Sequence, residues 1–206
     1  MAAQIQQVYT QTPHRKQMLM AADILRDGGI VVYPTDTIYG LGADCTNRQG
    51  IQGILTIKQS SSHKLLSLIC SNLQQVAQWA HVPNEAFRIM KKVLPGPYTF
   101  ILKASSDVPK ALVHQKRKTI GIRIPDSPVA LALVEALERP LLSGSVPLGE
   151  DDYMTDPMEI ATQLRHQVDL VLDAGPMPNQ PSTIIDFSQG EPELVRLGAG
   201  PIDGIL

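Results

Sequence analysis

The sequence has few aromatic residues and only two cysteines. Phe, Trp and Tyr make up 4% of the 206 residues, so a core would be built mainly from Leu, Ile, Val and Ala, as in many α/β proteins. Cys45 and Cys70 do not form a C-x-x-C pair, and two isolated cysteines predict neither a disulfide framework nor a zinc site. The formal net charge is only -2. The bulk electrostatics therefore do not indicate a nucleic-acid-binding protein, although a local basic face stays compatible with the composition.

Long hydrophobic runs and nucleotide-binding signatures are also missing. No apolar run approaches the length that crosses a bilayer, and the polar N-terminus MAAQIQQVYTQTPHRK lacks the apolar region of a secretory signal. We therefore expect a soluble, cytoplasmic protein that does not bind membranes. No G-x-x-x-x-G-K-[ST], no G-x-G-x-x-G after the first predicted strand and no H-E-x-x-H occurs, so no motif indicates a P-loop, a dinucleotide fold or a metal held by protein side chains.

Three segments carry signals for the start of a helix. TPHRKQMLMAADILRDGG predicts a helix capped by Thr12 and ended by Gly28-Gly29. Ser127 would cap a second helix in SPVALALVEALE. Asp156, with a glutamate three residues later, gives the capping-box pattern of a third helix in DPMEIATQLRHQ.

Short apolar runs lie between these helices and predict strands. The runs are IVVY, LLSLIC, YTFILK, TIGIRI, PLLS, VDLVL and STIIDF. Strands that alternate with helices predict an α/β domain with helices packed on a sheet. YTFIL and TIGIRI have no helix between them, so we expect a mixed sheet. In open α/β sheets ligands bind beyond the strand ends, and polar residues there are the candidates for a site.

The stretch IKQSSSHK, residues 57–64, is either a solvated loop or a cradle for an anion. It follows a predicted helix in which Ile51, Ile54 and Leu55 form an apolar stripe, and Lys58 is the next position on that stripe. An inward lysine must reach the surface or meet an anion. Taken alone, the position of Lys58 favours the first interpretation, in which its side chain reaches the surface from the last helical turn, where a cation interacts favourably with the helix dipole.

A second cation lies in the predicted strand KTIGIRI. Period-2 alternation places Ile120, Ile122 and Ile124 on the core face, and Gly121 and Arg123 on the opposite face. Gly121 would leave space beside Arg123 for a ligand. An exposed strand face with an ordinary arginine is the alternative that the strand leaves open.

Hydroxyl-rich and glycine-rich segments flank several predicted strands. YPTDTIYGLGAD, PLLSGS, PSTIID and LVRLGAG supply threonines, serines, backbone amides and an arginine. Each segment alone is explained as an ordinary polar loop. Because hydroxyl, amide and guanidinium donors bind phosphate esters, several of them on one sheet indicate an anion-binding cleft.

Five segments together resemble the YrdC-like family. GGIVVYPTDTIYGLGAD, PGPYTFILK, KTIGIRIPDSP, PSTIIDF and RLGAG occur in the family's order between about Leu19 and Gly200, and HQKRKTIGIRIPDSP resembles its YciO-like branch. The resemblance implies one α/β domain, a twisted mixed β-sheet flanked by helices, with a central positively charged cavity. We place that domain at residues 14–200, with residues 1–13 and 201–206 as terminal extensions.

The resemblance also implies an activity, the synthesis of L-threonylcarbamoyladenylate. Threonine, bicarbonate and ATP, with Mg²⁺, give the adenylate and pyrophosphate, and the product supplies the threonylcarbamoyl group of N6-threonylcarbamoyladenosine in tRNA. Family members are also described as binding double-stranded RNA or tRNA. The alternative function is therefore a non-catalytic RNA- or nucleotide-binding protein on the same scaffold.

Roles for individual residues follow from the same resemblance. Lys58 and Arg123 would be catalytic, and Thr35 and Thr99 would hold the threonine. The residues that would bind the nucleotide are Lys58, Lys64, Ser143, Ser145, Ser182 and Arg196. The basic run that would contact RNA is Lys116, Arg117 and Lys118, for which the other interpretation is a solvated surface.

The sequence departs from the family pattern at two places. Synthases have Lys-x-Arg-Pro at the end of the helix that carries Lys58, but Ser60 and Ser61 stand at the arginine and proline positions. Pro147 stands where a Ser-x-Asn motif, matched by Ser145, has its asparagine. Serine cannot supply a guanidinium fork. Loss of both the arginine and the asparagine of the family pattern would slow turnover by roughly 10²–10⁴-fold. We therefore expect weak synthase activity or a divergent role.

Overall fold

A computed structural model describes residues 3–59, 66–114, 116–148 and 152–205 of the chain. In these ranges eleven strands join one β-sheet, and six helices accompany it. The strands are β1 (Gln4–Gln7), β2 (Val31–Tyr33), β3 (Gly40–Asp44), β4 (Ser67–Ile69), β5 (Ala80–His81), β6 (Tyr98–Ala104), β7 (Thr119–Arg123), β8 (Leu141–Ser145), β9 (Leu170–Asp173), β10 (Thr183–Asp186) and β11 (Glu193–Arg196). The helices are α1 (Arg15–Arg26), α2 (Arg48–Gln59), α3 (Leu73–Trp79), α4 (Asn84–Val93), α5 (Pro128–Leu137) and α6 (Pro157–Gln163).

The sheet is mixed, as the sequence predicts. Its strand order is β1-β9-β2-β3-β8-β4-β7-β6-β10-β11, and β5 pairs with β6 outside this path. The pairs β1–β9, β2–β9, β4–β7 and β6–β10 are parallel, whereas β6 and β7, the two strands without an intervening helix, are antiparallel. The predicted α/β fold with a twisted mixed sheet and flanking helices is confirmed.

Helix caps explain where two of the helices begin. The Ser127 hydroxyl accepts a hydrogen bond from the amide of Ala130 at 3.3 Å, and the Asp156 carboxylate accepts from the amide of Met158 at 2.8 Å. The predicted cap at Thr12 is wrong. Helix α1 begins at Arg15 after His14, which is extended (ψ 123) and makes no side-chain cap, so Thr12 lies outside the helix.

Apolar side chains cover both faces of the sheet, because neighbouring residues in each strand point to opposite sides. On one face, Val31, Leu141 and Leu170 pack with buried residues of α1 and α5. On the other face, Val32 and Leu142 belong to the larger core, which includes residues of α2, α3, α4 and α6. The larger core also contains the three isoleucines Ile120, Ile122 and Ile124, as the alternation in β7 predicts.

The structure adds strands that the sequence analysis did not predict. Gln4–Gln7, within the expected N-terminal extension, pairs in parallel with β9 as an edge strand. The glycine-rich Gly40–Asp44 forms β3 and pairs antiparallel with β2, so residues 34–39 connect the two strands. Of the helices in the described ranges, none is both long and apolar enough to cross a bilayer.

Replacing Ser127 with alanine should destabilise the fold by about 2 kcal/mol. Ser127 is buried, caps α5 and also donates its hydroxyl to the carbonyl of Pro34 at 3.0 Å, so alanine removes a cap and leaves a buried carbonyl without that donor. Urea denaturation measures the loss. Asn72→Ala is the matched control, because Asn72 is an exposed cap that accepts from the Gln75 amide and donates to the neighbouring Ser71 hydroxyl, and its replacement should cost about 1 kcal/mol. Equal losses for the two variants would contradict the role given to the Pro34 contact.

Candidate functional site

A polar cavity opens on the sheet where strands from several parts of the chain meet. Its empty space, which includes open solvent at its mouth, is about 580 Å³. It lies on the same face as the α1–α5 layer, since Arg123 pairs in register with Ile69 of that layer. The predicted site residues that line it are Thr35, Lys58, Thr99, Arg123, Ser143, Ser145, Ser182 and Arg196.

Four other predicted site residues are not part of the described cavity. Lys64 lies outside the described residues, as do Ser60 and Ser61. The candidate RNA contacts are exposed: Lys116, Arg117 and Lys118. This basic run lies just before Thr119, the first residue of β7, whereas Arg123 is the last residue of β7. About 13 Å of strand therefore separates the basic run from the cavity residue Arg123. Arg117 is partly neutralised by Asp186 at 3.4 Å. RNA binding stays a prediction.

Lys58 points into the cavity and does not reach the surface. Its relative exposure is 2%, and its Nζ donates to the carbonyl of Ser145 at 3.2 Å. The stem of the side chain passes Gly144, where an added Cβ would lie 3.5 Å from the Lys58 Cδ. Burial, and secondarily the charge of Arg196, lower the pKa of Lys58 from 10.5 to about 8. The interpretation favoured from the sequence, a lysine that reaches the solvent, is therefore wrong.

Arg123 forms a buried ion pair that the sequence did not reveal. Its Nη2 donates to the Asp36 carboxylate and to the Thr37 hydroxyl, the latter at 2.8 Å. The side chains of Arg123 and Asp36 are 8% and 11% exposed. Within the described part of the chain, the Arg123 Nε and the Asp36 Oδ2 are buried without a hydrogen-bond partner. Because a buried donor without a partner costs free energy, the Nε is a place where a ligand oxygen would be stabilised.

Gly121 does not provide the open space expected beside Arg123. A Cβ at Gly121 would lie 3.0 Å from the Leu66 carbonyl and 3.2 Å from the Ser67 Cβ. The space is filled by the chain leading into β4, which pairs with β7. The alternative of an exposed strand face is also wrong, because every residue of β7 is buried.

Arg196 is fixed at the cavity wall by bonds to its neighbours. Its Nη2 and Nε donate to the Ser182 carbonyl at 2.9 and 3.2 Å, and its Nη1 donates to the Tyr153 hydroxyl at 3.2 Å. Burial lowers the pKa of Arg196 from its ordinary value. Tyr153 also lines the cavity, and no feature of the sequence indicated it. It forms an antiparallel bridge with Pro147, the residue that stands at the family's asparagine position.

The hydroxyl groups of the cavity are used to different degrees. The Thr35 Oγ1 donates to the Ile38 carbonyl at 2.7 Å and accepts from the amides of Thr37 and Ile38, so it holds its own loop together. The hydroxyls of Thr99 and Ser182 bond to each other at 2.8 Å. Because its hydrogen bonds lie within its own loop, the Thr35 hydroxyl has a structural role in this conformation.

The cavity is electropositive although the chain carries a net negative charge. Lys58, Arg123 and Arg196 line it, and no Asp or Glu is among its described lining residues. Asp36 pairs with Arg123, which leaves two cations without a carboxylate partner among the described residues. Across the described ranges, no group of three or more His, Cys, Asp or Glu side chains is arranged to hold a metal ion. The donor set suits an anion rather than a bare cation.

Comparison with known proteins identifies the family. Residues 23–198 match the family described as "Sua5_yciO_yrdC: Telomere recombination", and the chain belongs to this family. The uncharacterized protein YciO of Escherichia coli K12 is 40% identical over 200 residues, which are 97% of each chain. The crystal structure of E. coli YciO agrees with a TM-score of 0.94 at 39% identity, over 99% of this chain and 100% of that one.

A more distant relative has a named activity. The threonylcarbamoyl-AMP synthase of Pyrococcus abyssi is 29% identical over 188 residues, which cover 90% of this chain and 55% of the synthase. The crystal structure of P. abyssi Sua5 complexed with L-threonine has a TM-score of 0.89 at 28% identity, over 98% of this chain and 59% of that one. The resemblance found in the sequence is confirmed.

Lys58→Met should stabilise the fold at pH 7 by up to about 3 kcal/mol. The folded pKa of about 8 lies below the ordinary 10.5, so protonated Lys58 lowers the free energy of unfolding, and this penalty disappears as the pH rises from 8 to 10.5. Urea denaturation across that range should show the difference between variant and wild type shrinking. Lys16→Met, at an exposed position of α1, should show no such trend. A variant less stable than wild type at pH 7 would mean that the buried charge is fully compensated.

Proposed function

We propose that this chain catalyses the formation of L-threonylcarbamoyl-AMP from threonine, bicarbonate and ATP. The observation that carries the proposal is the convergence of Lys58, Arg123 and Arg196 on one cavity. The family fold and the P. abyssi synthase support it. A site that gathers buried positive charge needs an anionic ligand, and a nucleoside triphosphate is such a ligand.

The reaction requires charge neutralisation more than covalent catalysis. The threonine amine attacks the carbon of bicarbonate, and loss of water leaves a carbamate. A carbamate oxygen then attacks the α-phosphorus of ATP, a new P–O bond forms, and the bond to pyrophosphate breaks. Carbamate and triphosphate are both negative, so their approach is opposed unless fixed cations offset the repulsion.

The positions of the three cations suggest how they divide this work. Among the described residues, Lys58 donates one of its three N–H groups, to Ser145, and the other two would bind the triphosphate. Arg196, held by Ser182 and Tyr153, would face the same phosphates, because its charge already lowers the pKa of Lys58. Arg123, with an unpartnered Nε, would meet the carbamate and the α-phosphate.

Thr35 and Thr99 would form the threonine end of the cavity, and Ser182, predicted to bind the nucleotide, lies beside Thr99. Thr99 and Ser182 are paired hydroxyls that can turn one donor or acceptor to the substrate. Thr35 would contribute its methyl group or main chain, since its hydroxyl is used within the loop.

Magnesium fits this site as a companion of the nucleotide. The cavity presents cations and hydroxyls instead of a carboxylate cluster, so Mg²⁺ would arrive bound to the triphosphate oxygens. Bound in that way it would supply further charge neutralisation. The protein's own share is to hold the phosphates and the carbamate in line.

The activity should be threonine-dependent and low. The serines at positions 60 and 61 and the proline at 147 replace groups that the family pattern uses, so fewer donors would stabilise the transition state. Pro147 lies opposite Tyr153, whose hydroxyl bonds Arg196. Tyr153 therefore occupies the wall near the altered position.

Pyrophosphate release from ATP, magnesium and bicarbonate, with and without threonine, tests the proposal. We expect threonine-dependent release. Arg123→Ala should lower kcat/KM by roughly 10²–10³-fold, because it removes a preorganised donor. Lys58→Ala should lower it by roughly 10–100-fold, the loss of one charge-assisted bond.

The control for these variants is Arg88→Ala. Arg88 is exposed on α4, and its loss should leave the rate unchanged. Release that is independent of threonine would contradict the proposed substrate. No release, with ATP still bound, would leave the nucleotide-binding alternative as the function of the cavity.

A further inference from the structure

The buried phenol of Tyr33 lies in a slot formed by two glycines. Tyr33 is on β2 and has no exposed surface. An added Cβ at Gly40 would be 2.9 Å from the Tyr33 Cζ, and one at Gly42 would be 3.0 Å from its Cε1. Both glycines are on β3, the strand next to β2. The ring therefore lies across β3, and any larger residue at these two positions would displace it.

The position of the ring in this slot brings the Tyr33 hydroxyl to β8, the strand on the other side of β3. Gly42 is in register with Ser143 of β8, and the Tyr33 hydroxyl lies 2.6 Å from the Ser143 Oγ. Among the described residues, each of these two oxygens has the other as its sole hydrogen-bond partner. Ser143 lines the cavity, whereas Tyr33 lies behind it.

This arrangement determines the direction of the hydrogen bond. A phenol has one proton to donate, and Ser143 is the acceptor within reach of Tyr33. If Ser143 donated instead, the phenol proton would be buried without an acceptor, which is unfavourable. Tyr33 therefore donates, Ser143 accepts, and the proton of Ser143 is left to point elsewhere. Burial raises the pKa of Tyr33 to about 12, so the phenol keeps its proton at neutral pH.

We propose that Tyr33 is a positioning residue that fixes the Ser143 hydroxyl as a donor into the cavity, aimed at an anionic oxygen of the ligand. The identity of that oxygen, on a phosphate or the carbamate, rests on the proposed function. A serine hydroxyl that accepts from Tyr33 with one of its two lone pairs keeps its single proton for an acceptor oxygen of the ligand.

A double-mutant cycle on ATP binding tests the proposal. Tyr33→Phe keeps the ring in the glycine slot and removes the hydroxyl, so ATP affinity measured by calorimetry should fall about 2- to 10-fold. Ser143→Ala should reduce the affinity more, and adding Tyr33→Phe to it should have no further effect, because Tyr33 acts through Ser143. An effect of Tyr33→Phe that persists in the Ser143→Ala background would overturn the proposal.

Tyr98→Phe is the matched control for the loss of a buried phenol. Tyr98 is 5% exposed, and its hydroxyl donates to the Pro201 carbonyl at 2.8 Å, away from the residues that line the cavity. Its loss should lower the free energy of unfolding but leave ATP affinity within about twofold. Equal affinity losses in the Tyr33 and Tyr98 variants would show a general effect of stability and would contradict a specific role for Tyr33.

A measurement without ligand separates this proposal from the proposed function. The tyrosine Fermi doublet in the Raman spectrum distinguishes a phenol that donates from one that accepts, and the wild-type minus Tyr33→Phe difference isolates Tyr33. A donor signature is expected, and an acceptor signature would overturn the proposal even if the enzyme is active. ATP binding without pyrophosphate release would instead contradict the proposed function, and the double-mutant cycle on ATP affinity could still be measured. If ATP does not bind, the proposed function fails and the doublet alone decides the direction of the bond.

Discussion

The burial of positive charge around one cavity is the constraint on which the rest of the site depends. Lys58 and Arg123 are 2% and 7% exposed, and a buried cation is unfavourable unless it is paired or hydrogen-bonded. Asp36 pairs with Arg123, but within the described ranges the Lys58 ammonium donates only to a carbonyl, that of Ser145. Burial and the charge of Arg196 therefore both disfavour the protonated form of Lys58. An anion in the cavity would offset this repulsion, which would contribute to its free energy of binding.

The scaffold holds these charges by fixing the segments that carry them. Ser127 caps α5 and binds the carbonyl of Pro34, which anchors the start of the loop that carries Asp36 and Thr37. The Thr35 hydroxyl closes the same loop from within.

At the far wall of the cavity, the Thr183 hydroxyl accepts from the Gly198 amide and donates to the Gly200 carbonyl. These two bonds hold the chain that follows Arg196. Fold and site are therefore supported by the same hydrogen bonds.

Strand and helix periodicity predicted the side-chain direction of two cavity residues, Arg123 and Lys58, whereas the other candidate residues were predicted from the family resemblance. Alternation in β7 placed Arg123 opposite the isoleucines of the core, and the apolar stripe of α2 placed Lys58 inward. The pairing of Arg123 with Asp36 could not be predicted, since these residues are 87 positions apart and no local pattern reports such a contact. Tyr153 was missed for the same reason. β3 was missed because its glycines indicated a turn. In the structure, the Tyr33 ring fills the space beside Gly40 and Gly42 that larger side chains would occupy.

The strand order has a consequence for the synthesis of the chain. The cavity combines Lys58 from α2 with Arg123 from β7 and Arg196 from β11, the last strand. β11 joins the sheet through β10, which itself pairs in parallel with β6, some 80 positions earlier in the chain. A nascent chain on the ribosome can thus form most of its core before the cavity wall that carries Arg196 is in place. A ligand that needs all three cations would therefore bind only after β11 has joined the sheet, so it would stabilise a core that has already formed and would not direct the formation of that core.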